Sequence, residues 1–267
     1  IKKSLIGAKS MVIIGGGYIG LEVAAVSRKL GLSVTVVEMA SRILERVTSP
    51  VISSFYHSYH ESQGVEIMTS TSVNGINGDL NVSSVETSSG IIEADIVLVG
   101  IGVLPCQNLA EKAGIETNNG IVVNEFCISS DSNVFSAGDC TLHPSAFYKR
   151  DIRLESVHNA IEQGKTVASS IMGEFVPYNQ IPWFWSDQYD LKFQIAGLNN
   201  DYDEYIVRGR PEDNSFSVFY FKDGFMISSD CVNSAPEHMM SRRFIFNRAE
   251  VDLEKLQNKE ISIKEVI

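Results

Sequence analysis

Six residues near the start of the chain have the spacing of a dinucleotide-binding turn. Residues 15–20 read Gly-Gly-Gly-Tyr-Ile-Gly, which fits the pattern G-x-G-x-x-G and includes Tyr18 and Ile19. In this pattern Gly15 makes the tight turn, Gly17 lets a pyrophosphate approach the backbone, and Gly20 permits close helix–strand packing. The phosphates would lie at the N-terminus of the following helix, where free N–H groups and the helix dipole favour anions.

An acidic residue follows at the distance that a ribose site requires. Glu38 lies 18 residues after Gly20, where a carboxylate would accept a hydrogen bond from a ribose 2′-hydroxyl. The same carboxylate would repel the 2′-phosphate of NADP, so we expect the cofactor to be NAD. Two alternatives remain open: FAD uses the same fingerprint, and Glu38 could simply cap the end of a strand.

The elements around the turn have the order that a nucleotide-binding unit needs. Residues 11–14 are apolar, residues 18–30 carry apolar side chains at helical spacing, and residues 33–38 are rich in β-branched side chains. The sequence therefore predicts a βαβ unit over residues 11–38.

The rest of the chain predicts further strands and helices. Up to residue 99 we expect a helix from Ser49-Pro50 to about residue 63 and strands at 66–69, in the polar segment up to residue 81, at 82–87 and at 96–99. Turns should lie at Asn74-Gly75 and Asn77-Gly78. Beyond Pro105 we expect short elements at 109–113, 121–123 and 134–137 and a long helix at about 157–172. From Phe193 onward three or four antiparallel strands should follow, with a hairpin turn at Asp223-Gly224, and then helices from about Pro236.

These elements predict an α/β protein with three parts. The parts are a Rossmann-like NAD-binding domain at 1–98, the C-terminal part of a discontinuous FAD domain at 99–182, and a C-terminal α+β domain with an antiparallel sheet at 183–267.

Composition and charge limit the functions to consider. The chain has 267 residues, of which 44% are apolar and 21% charged, and its net charge is −11. Nucleic acid and anionic membranes are poor partners for this charge, and the sequence lacks the roughly 18 consecutive apolar residues of a membrane span. We expect a cytoplasmic protein. The four cysteines lie too far apart in sequence for a zinc site or a Cys-x-x-Cys pair, and no histidine has metal-ligand spacing.

Five segments carry a more specific pattern, and they occur in a fixed order. They are GGGYIGLEVAA at 15–25, GIGVLP at 100–105, VFSAGDC at 134–140, RLESVHNA at 153–160 and PWFWSDQ at 182–188. Together they resemble the ferredoxin-reductase branch of the pyridine-nucleotide flavoprotein reductases. The resemblance extends from residue 11 almost to the C-terminus.

The resemblance implies roles for several residues near the nucleotide. Tyr18 and Glu22 would line the nicotinamide site, with Tyr18 covering the flavin face and Glu22 pairing with a lysine of the missing segment. Arg46 would pack on the adenosine end of NADH. Gly100, Ile101 and Gly102 would contribute to the cofactor-binding loop. Without the family, Tyr18 is a first-turn helix residue, Glu22 a solvated one, and Arg46 a surface arginine.

The resemblance also implies a flavin site. Gly138 and Asp139 would form the second FAD motif, with the aspartate accepting a hydrogen bond from the ribityl chain. Glu155, Ser156 and Val157 would open the long helix whose N-terminus faces the flavin, and Trp185 would lie beside its ring system. The alternatives are a strand-ending turn at Gly138-Asp139 and a buried aromatic anchor at Trp185.

Two departures from the family pattern matter. The first FAD fingerprint of the family belongs ahead of residue 1, so we expect an N-terminal FAD-binding segment to be missing from this chain. Cys106 stands where relatives usually carry asparagine.

The resemblance predicts hydride transfer from NADH to FAD, followed by electron transfer to a 2Fe-2S ferredoxin or a rubredoxin of an oxygenase system. An acidic partner needs local basic residues despite the net negative charge, and scattered solubilising charge is the alternative. The candidates are Lys149, Arg150, Arg153 and Lys165. Two other functions remain open: an inert nucleotide-binding fragment, and a flavoprotein component of a nitrite reductase or an oxidase.

Overall fold

The computed structural model describes residues 4–267. Within the described range the strands are β1 (Ser10–Ile14), β2 (Ser33–Val37), β3 (Val65–Met68), β4 (Val73–Gly78), β5 (Val82–Thr87), β6 (Gly90–Glu93), β7 (Ile96–Val99), β8 (Ile121–Val122), β9 (Thr141–Ser145), β10 (Arg150–Arg153), β11 (Trp183–Gln188), β12 (Leu191–Gly197), β13 (Glu204–Arg210), β14 (Ser215–Lys222) and β15 (Phe225–Val232). The helices are α1 (Tyr18–Lys29), α2 (Pro50–Ser62), α3 (Asn108–Lys112), α4 (Val157–Ile171), α5 (Ala235–Asn247) and α6 (Leu253–Gln257). Short 3-10 turns occur at Pro211–Asp213 and Ile263–Glu265.

The predicted βαβ unit forms the centre of a parallel sheet with the order β3-β2-β1-β7. β1 pairs with β2 on one side and with β7 on the other, and Met11 lies opposite both Val34 and Ile96. Because a central parallel strand is covered on both faces, three successive apolar residues of β1, at positions 11–13, are all buried. The α/β fold class is therefore confirmed.

The predicted turns at Asn74-Gly75 and Asn77-Gly78 are wrong. Both pairs lie inside β4, which is one strand of the antiparallel sheet β4-β5-β6, and the chain reverses direction at residues 79–81 instead. The register of β4 shifts between Val73 and Gly75 and again between Asn77 and Gly78. The glycines thus lie at irregularities within the strand. Asn-Gly pairs are found at such irregularities as well as in true turns.

The predicted strand at 134–137 is also wrong, because this segment forms only an isolated bridge between Phe135 and Ile128. The chain instead forms a hairpin of β9 and β10, which pairs with β8 in the order β10-β9-β8. Pro144 lies within β9, and a proline in a short run makes a strand hard to recognise from sequence.

The C-terminal sheet has five strands, not three or four, in the order β11-β12-β15-β14-β13. It starts at Trp183, earlier than the predicted start at Phe193. The hairpin turn between β14 and β15 is confirmed: Asp223 and Gly224 both have positive φ, at 50° and 77°, as a tight two-residue hairpin requires. α5 packs on this sheet through Phe219, Met240 and Phe244.

The chain divides into two compact units. The first contains residues 4–102 of the described range with 186–193 and 210–216, and the second contains 103–185, 194–209 and 217–267. The three-part division near residues 98 and 182 stays a prediction. Within residues 4–267, none of the helices has the length and apolar character needed to cross a bilayer.

Candidate functional site

The glycine turn joins β1 to α1 in the first unit. Gly15 has a φ of +106°, and a Cβ built on it would lie 2.5 Å from the carbonyl oxygen of Gly100. A Cβ on Gly20 would lie 2.1 Å from the carbonyl oxygen of Gly15, so helix and turn are in closest contact there. Gly17, the N-cap of α1, is different, because a Cβ built on it would have no neighbour within 4 Å.

The open side of Gly17 suits a phosphate. The first turn of α1 contains no acidic residue, and no side chain caps its N–H groups. The backbone N–H groups of the first helical turn and the positive end of the helix dipole lie at this end of α1, beside Gly17. The residues present fit the pyrophosphate of a dinucleotide.

Both carboxylate oxygens of Glu38 accept backbone hydrogen bonds, and one of them binds the glycine turn. The N–H of Gly16 donates to Oε2 at 2.7 Å, and the N–H of Ala40 donates to Oε1 at 2.8 Å. Glu38 therefore does more than cap a strand end, since its carboxylate is held directly beside the glycine turn.

The loop after β7 completes the turn from the other side. The N–H of Gly100 donates to the carbonyl of Ile14 at 2.8 Å, which brings residues 100–102 against the glycines. Gly102 has a φ of +109°, and a Cβ on it would lie 3.8 Å from Nη2 of Arg46, whose side chain is exposed. Ile101 is 66% exposed. The structure thus brings Arg46 and this loop to the same end of the parallel sheet.

Tyr18 and Glu22 lie one turn apart on the same helix. The ring of Tyr18 packs against Phe193 at a centroid distance of 5.9 Å. The hydroxyl of Ser186 donates to Oε1 of Glu22 at 2.6 Å. Both candidate catalytic side chains of α1 therefore contact the segment 186–193.

A buried hydrogen-bond chain extends from Glu22. Nε2 of Gln188 donates to the Ser186 hydroxyl at 3.1 Å, and Oε1 of Gln188 lies 2.8 Å from Nε2 of His60. The Tyr189 hydroxyl lies 3.4 Å from Nδ1 of His60. Three members of this chain, Ser186, Gln188 and His60, are completely buried.

Burial favours the uncharged forms of the His60 imidazole and the Tyr189 phenol. Desolvation lowers the pKa of the His60 imidazole, although its contact with Gln188 opposes the shift. Desolvation raises the pKa of the Tyr189 phenol to about 12. Tyr189 can therefore act as a hydrogen-bond donor to a neutral His60 at ordinary pH.

Sequence reasoning missed Ser186, Gln188 and His60. In β11 the side chains alternate, so Ser186 and Gln188 are buried whereas Trp185 and Asp187 are exposed. The residue types do not show this period of two, because the aromatic residues WFW are followed by the polar residues SDQ, so the sequence did not identify the buried polar face. His60 had no signal either, because its partner Gln188 lies 128 residues away.

The second unit holds the residues proposed for the flavin. The N–H of Gly138 donates to Oε1 of Gln163 at 2.7 Å, which fixes the Gly138-Asp139 turn on α4. Gln163 is in turn 2.9 Å from Nδ1 of His143, whose pKa burial lowers to about 4. Asp139 is exposed at this turn.

α4 begins with a capped first turn. The hydroxyl of Ser156 accepts a hydrogen bond from the N–H of Asn159 at 3.1 Å, and no acidic residue lies in the first turn. Glu155 precedes the cap and pairs with Arg153 at 2.7 Å. Val157 is 58% exposed, so the positive end of this 15-residue helix is accessible.

Trp185 is half-exposed and its ring packs against that of Trp183 in a tilted arrangement, with ring centroids 5.6 Å apart. The guanidinium of Arg242 lies over the Trp183 ring at 5.0 Å. Trp185 is therefore the accessible member of an aromatic pair and not a buried anchor.

The four candidate docking cations differ in their partners. Arg153 pairs with Glu155, and Lys165 pairs with Glu162 at 2.6 Å. Arg150 donates to Asn200 at 3.4 Å, and together with Lys149 it lines a cavity of about 250 Å³. Arg153 and Lys165 are thus already neutralised by carboxylates of the same unit.

All four cysteines are free, and only Cys106 is exposed among them. Over residues 4–267, no group of three or more His, Cys, Asp or Glu side chains is placed to hold a metal ion.

Comparison with known proteins identifies relatives along the whole chain. Residues 1–164 match the pyridine nucleotide-disulphide oxidoreductase family, and residues 183–267 match the reductase C-terminal family. The chain is 40% identical over 271 residues to putidaredoxin reductase CamA of Pseudomonas putida, covering all of this chain and 64% of that protein. It is 39% identical over 266 residues to rhodocoxin reductase of Rhodococcus erythropolis, covering 99% of this chain and 62% of the relative.

Solved structures show the same similarity. The crystal structure of the covalent putidaredoxin reductase–putidaredoxin complex matches with a TM-score of 0.95 at 40% identity, covering 99% of this chain and 64% of that one. A ferredoxin reductase from Rhodopseudomonas palustris matches with a TM-score of 0.95 at 37% identity, covering 99% of this chain and 66% of that one. The chain therefore spans slightly less than two thirds of the length of these relatives, and it belongs to the pyridine nucleotide-disulphide oxidoreductase family.

Proposed function

We propose that the whole protein is an NADH-dependent flavoprotein reductase that passes electrons through FAD to a 2Fe-2S ferredoxin or a rubredoxin of an oxygenase system. The observation that carries the proposal is the glycine turn with its fixed carboxylate. Gly17 is open on one side, and Glu38 is bound beside it by the N–H groups of Gly16 and Ala40.

Each residue of the turn has a task in binding NADH. The N–H groups at the start of α1 hold the pyrophosphate, and the space beside Gly17 lets the phosphate oxygens approach. Glu38 accepts a hydrogen bond from the adenosine ribose and repels an additional phosphate, which selects NADH over NADPH. Arg46, exposed near Gly102, packs on the adenosine.

The second unit supplies the surroundings of the flavin. A bound FAD would supply the chemistry of hydride acceptance from NADH and of single-electron release to an iron–sulfur partner. Asp139 accepts a hydrogen bond from the ribityl chain. The N-terminus of α4, at Glu155, Ser156 and Val157, stabilises negative charge on the ring system through the helix dipole. Tyr18 and Glu22 line the nicotinamide position, and Trp185 lies where electrons leave.

The names of the relatives support a small redox protein as the electron acceptor. Putidaredoxin reductase and rhodocoxin reductase are named for small redox proteins, and two further relatives are named rubredoxin-NAD(+) reductase. An acidic partner of this kind would dock through local basic residues. Because Arg153 and Lys165 already pair with carboxylates, Lys149 and Arg150 are the better candidates.

The test uses protein expressed from its complete coding sequence. We expect a bound flavin visible in the absorption spectrum, bleaching of that flavin by NADH, and NADH-dependent reduction of a 2Fe-2S ferredoxin. NADH should bind at least about tenfold more tightly than NADPH, and Glu38→Gln should remove most of this difference, because a neutral amide no longer repels the 2′-phosphate. Calorimetry with both nucleotides measures the ratio.

Other results would contradict the proposal. Equal affinity for NADPH in the unaltered protein would refute the role of Glu38. Reduction of nitrite or oxygen without any reduction of ferredoxin or rubredoxin would favour a nitrite reductase component or an oxidase, and a colourless protein would favour a nucleotide-binding fragment without turnover.

A further inference from the structure

The hydrogen-bond chain behind Glu22 has a single direction. A carboxylate only accepts hydrogen bonds, so the Ser186 hydroxyl must donate to Glu22 across their 2.6 Å contact. Its remaining lone pairs then accept from the amide NH₂ of Gln188 at 3.1 Å. The amide oxygen of Gln188 consequently faces His60 and accepts from it.

This direction determines the tautomer of His60. Nε2 must carry the proton in order to donate to Gln188, and Nδ1 is then left to accept from the Tyr189 hydroxyl. Every donor in the chain therefore points towards Glu22. Successive hydrogen bonds of one direction polarise each other, which strengthens the final bond to the carboxylate.

The members of the chain are closely packed. Ser186, Gln188 and His60 have no exposed surface, and dense packing around buried side chains restricts their rotamers. Tyr189 lies in the turn between β11 and β12 with a φ of 58°, and its ring packs on Tyr59 and His60 at 5.7 and 5.1 Å. A side chain that binds to this assembly is held in one position. The conformational entropy lost is mainly that of the bound side chain, because its partners are already packed.

The chain holds a position and does not conduct protons. A glutamine amide neither takes up nor releases a proton at ordinary pH, so Gln188 interrupts any proton transfer between His60 and Ser186. The remaining task of such a chain is to orient its last member, as buried partners do for other side chains of active sites.

We propose that Ser186, Gln188 and His60 are positioning residues that fix the Glu22 carboxylate for the nicotinamide end of NADH. The inference rests on the proposed function, because it assigns a support to a residue of that same site. Glu22 lies on the first helix after the glycine turn, and its hydrogen bond from Ser186 holds Oε1 of the half-buried carboxylate in one place.

The first experiment measures flavin reduction by NADH in the full-length protein. Ser186→Ala should lower the rate constant of flavin reduction about tenfold, with a change of less than about twofold in the dissociation constant of NADH. Ser186→Thr keeps the hydroxyl and should restore most of the rate. If Ser186→Ala does not fold, Ser186→Cys fills the same space with a weaker donor and should give an intermediate rate.

Two comparisons separate positioning from general damage. Ser27→Ala removes a different buried serine hydroxyl, one that lies on α1 and donates to Sδ of Met11 at 3.3 Å. This change should leave the rate constant of flavin reduction unchanged. In a Glu22→Gln background, Ser186→Ala should cause little further loss, because both changes disturb one interaction. Equal slowing by Ser27→Ala, or full additivity with Glu22→Gln, would overturn the proposal.

A second readout does not depend on flavin or turnover. Nitrogen NMR of isotope-labelled histidine should show His60 as the Nε2–H tautomer, and the opposite tautomer would overturn the direction of the chain. A protein with the expected tautomer that NADH cannot reduce would contradict the proposed function alone. Normal reduction by NADH in Ser186→Ala would contradict the positioning role alone.

Discussion

The glycine turn and the buried hydrogen-bond chain lie against the same helix, but they are built in different ways. The turn places Glu38 only 22 residues from its partner Gly16, and its contacts are with backbone atoms. The chain joins Glu22 to Ser186 across 164 residues, and its contacts are almost entirely between side chains. One region is thus a property of a local segment, whereas the other exists only once strand β11 lies beside α1.

The difference indicates what each region contributes. Backbone N–H groups and glycines create a place for phosphate that depends little on the identity of other side chains. The chain does not create a place for a ligand; it holds one carboxylate in one orientation. Binding affinity should therefore depend on the turn, and the rate of the reaction should depend on the chain.

The largest effect is expected for Gly20→Ala. The new methyl group would lie 2.1 Å from the carbonyl oxygen of Gly15, and backbone on both sides prevents a simple adjustment. We expect a loss of about 3 kcal/mol in the free energy of unfolding and no measurable binding of NADH. Urea unfolding and calorimetry measure the two effects.

Gly17→Ala is the matched control for this change. A Cβ at Gly17 has no neighbour within 4 Å, and its φ of −83° suits any residue. Stability should change by less than about 0.5 kcal/mol while NADH affinity still falls, because the methyl group occupies the approach of the pyrophosphate. Unchanged affinity in Gly17→Ala would place the phosphate elsewhere.

An intermediate effect is expected for Gln188→Leu, which breaks the chain and leaves the turn intact. The buried Nε2–H of His60 and the Ser186 hydroxyl each lose a partner. We expect a loss of about 2 kcal/mol in the free energy of unfolding, with NADH affinity nearly unchanged. Gln63→Leu, at an exposed position, is the control and should have almost no effect. A loss of NADH affinity equal to that of Gly20→Ala would remove the distinction between the two regions.

The smallest effect is the pH dependence that His60 causes. Burial lowers the pKa of His60, so the unfolded chain binds a proton more readily than the folded one. The free energy of unfolding should therefore decrease as the pH falls below about 6.5, where an unfolded histidine takes up its proton. Unfolding measured between neutral and mildly acidic pH tests this sign.

Replacement of His60 by glutamine should weaken that acid sensitivity without removing it. His143 and His238, whose pKa values burial lowers to about 4, act in the same direction and remain in the variant. A profile that His60→Gln does not alter would indicate that His60 is protonated equally in both states.

The sequence was most informative where residue type and short spacing decide the structure. Gly15, Gly17 and Gly20 with Glu38 indicated the turn, and Asp223-Gly224 indicated the hairpin that the structure contains. Asn74-Gly75 and Asn77-Gly78 were misleading, because the same dipeptides also fit the bulges of a continuous strand. The Asn-Gly dipeptides predicted a turn as strongly as Asp223-Gly224 did. At the Asn-Gly pairs, the pairing of β4 with β5 decided in favour of a bulge.

By itself the sequence determined the βαβ unit, the position of the glycine turn and the acidic residue beside it, because hydrophobic period and glycine geometry act over a few residues. Only the tertiary structure decided that Glu38 binds the backbone N–H groups of Gly16 and Ala40, and that Ser186, Gln188 and His60 form a hydrogen-bond chain behind Glu22. Such contacts join residues whose separation along the chain carries no information about distance in space. They arise from the packing of strand on helix, which no local pattern encodes.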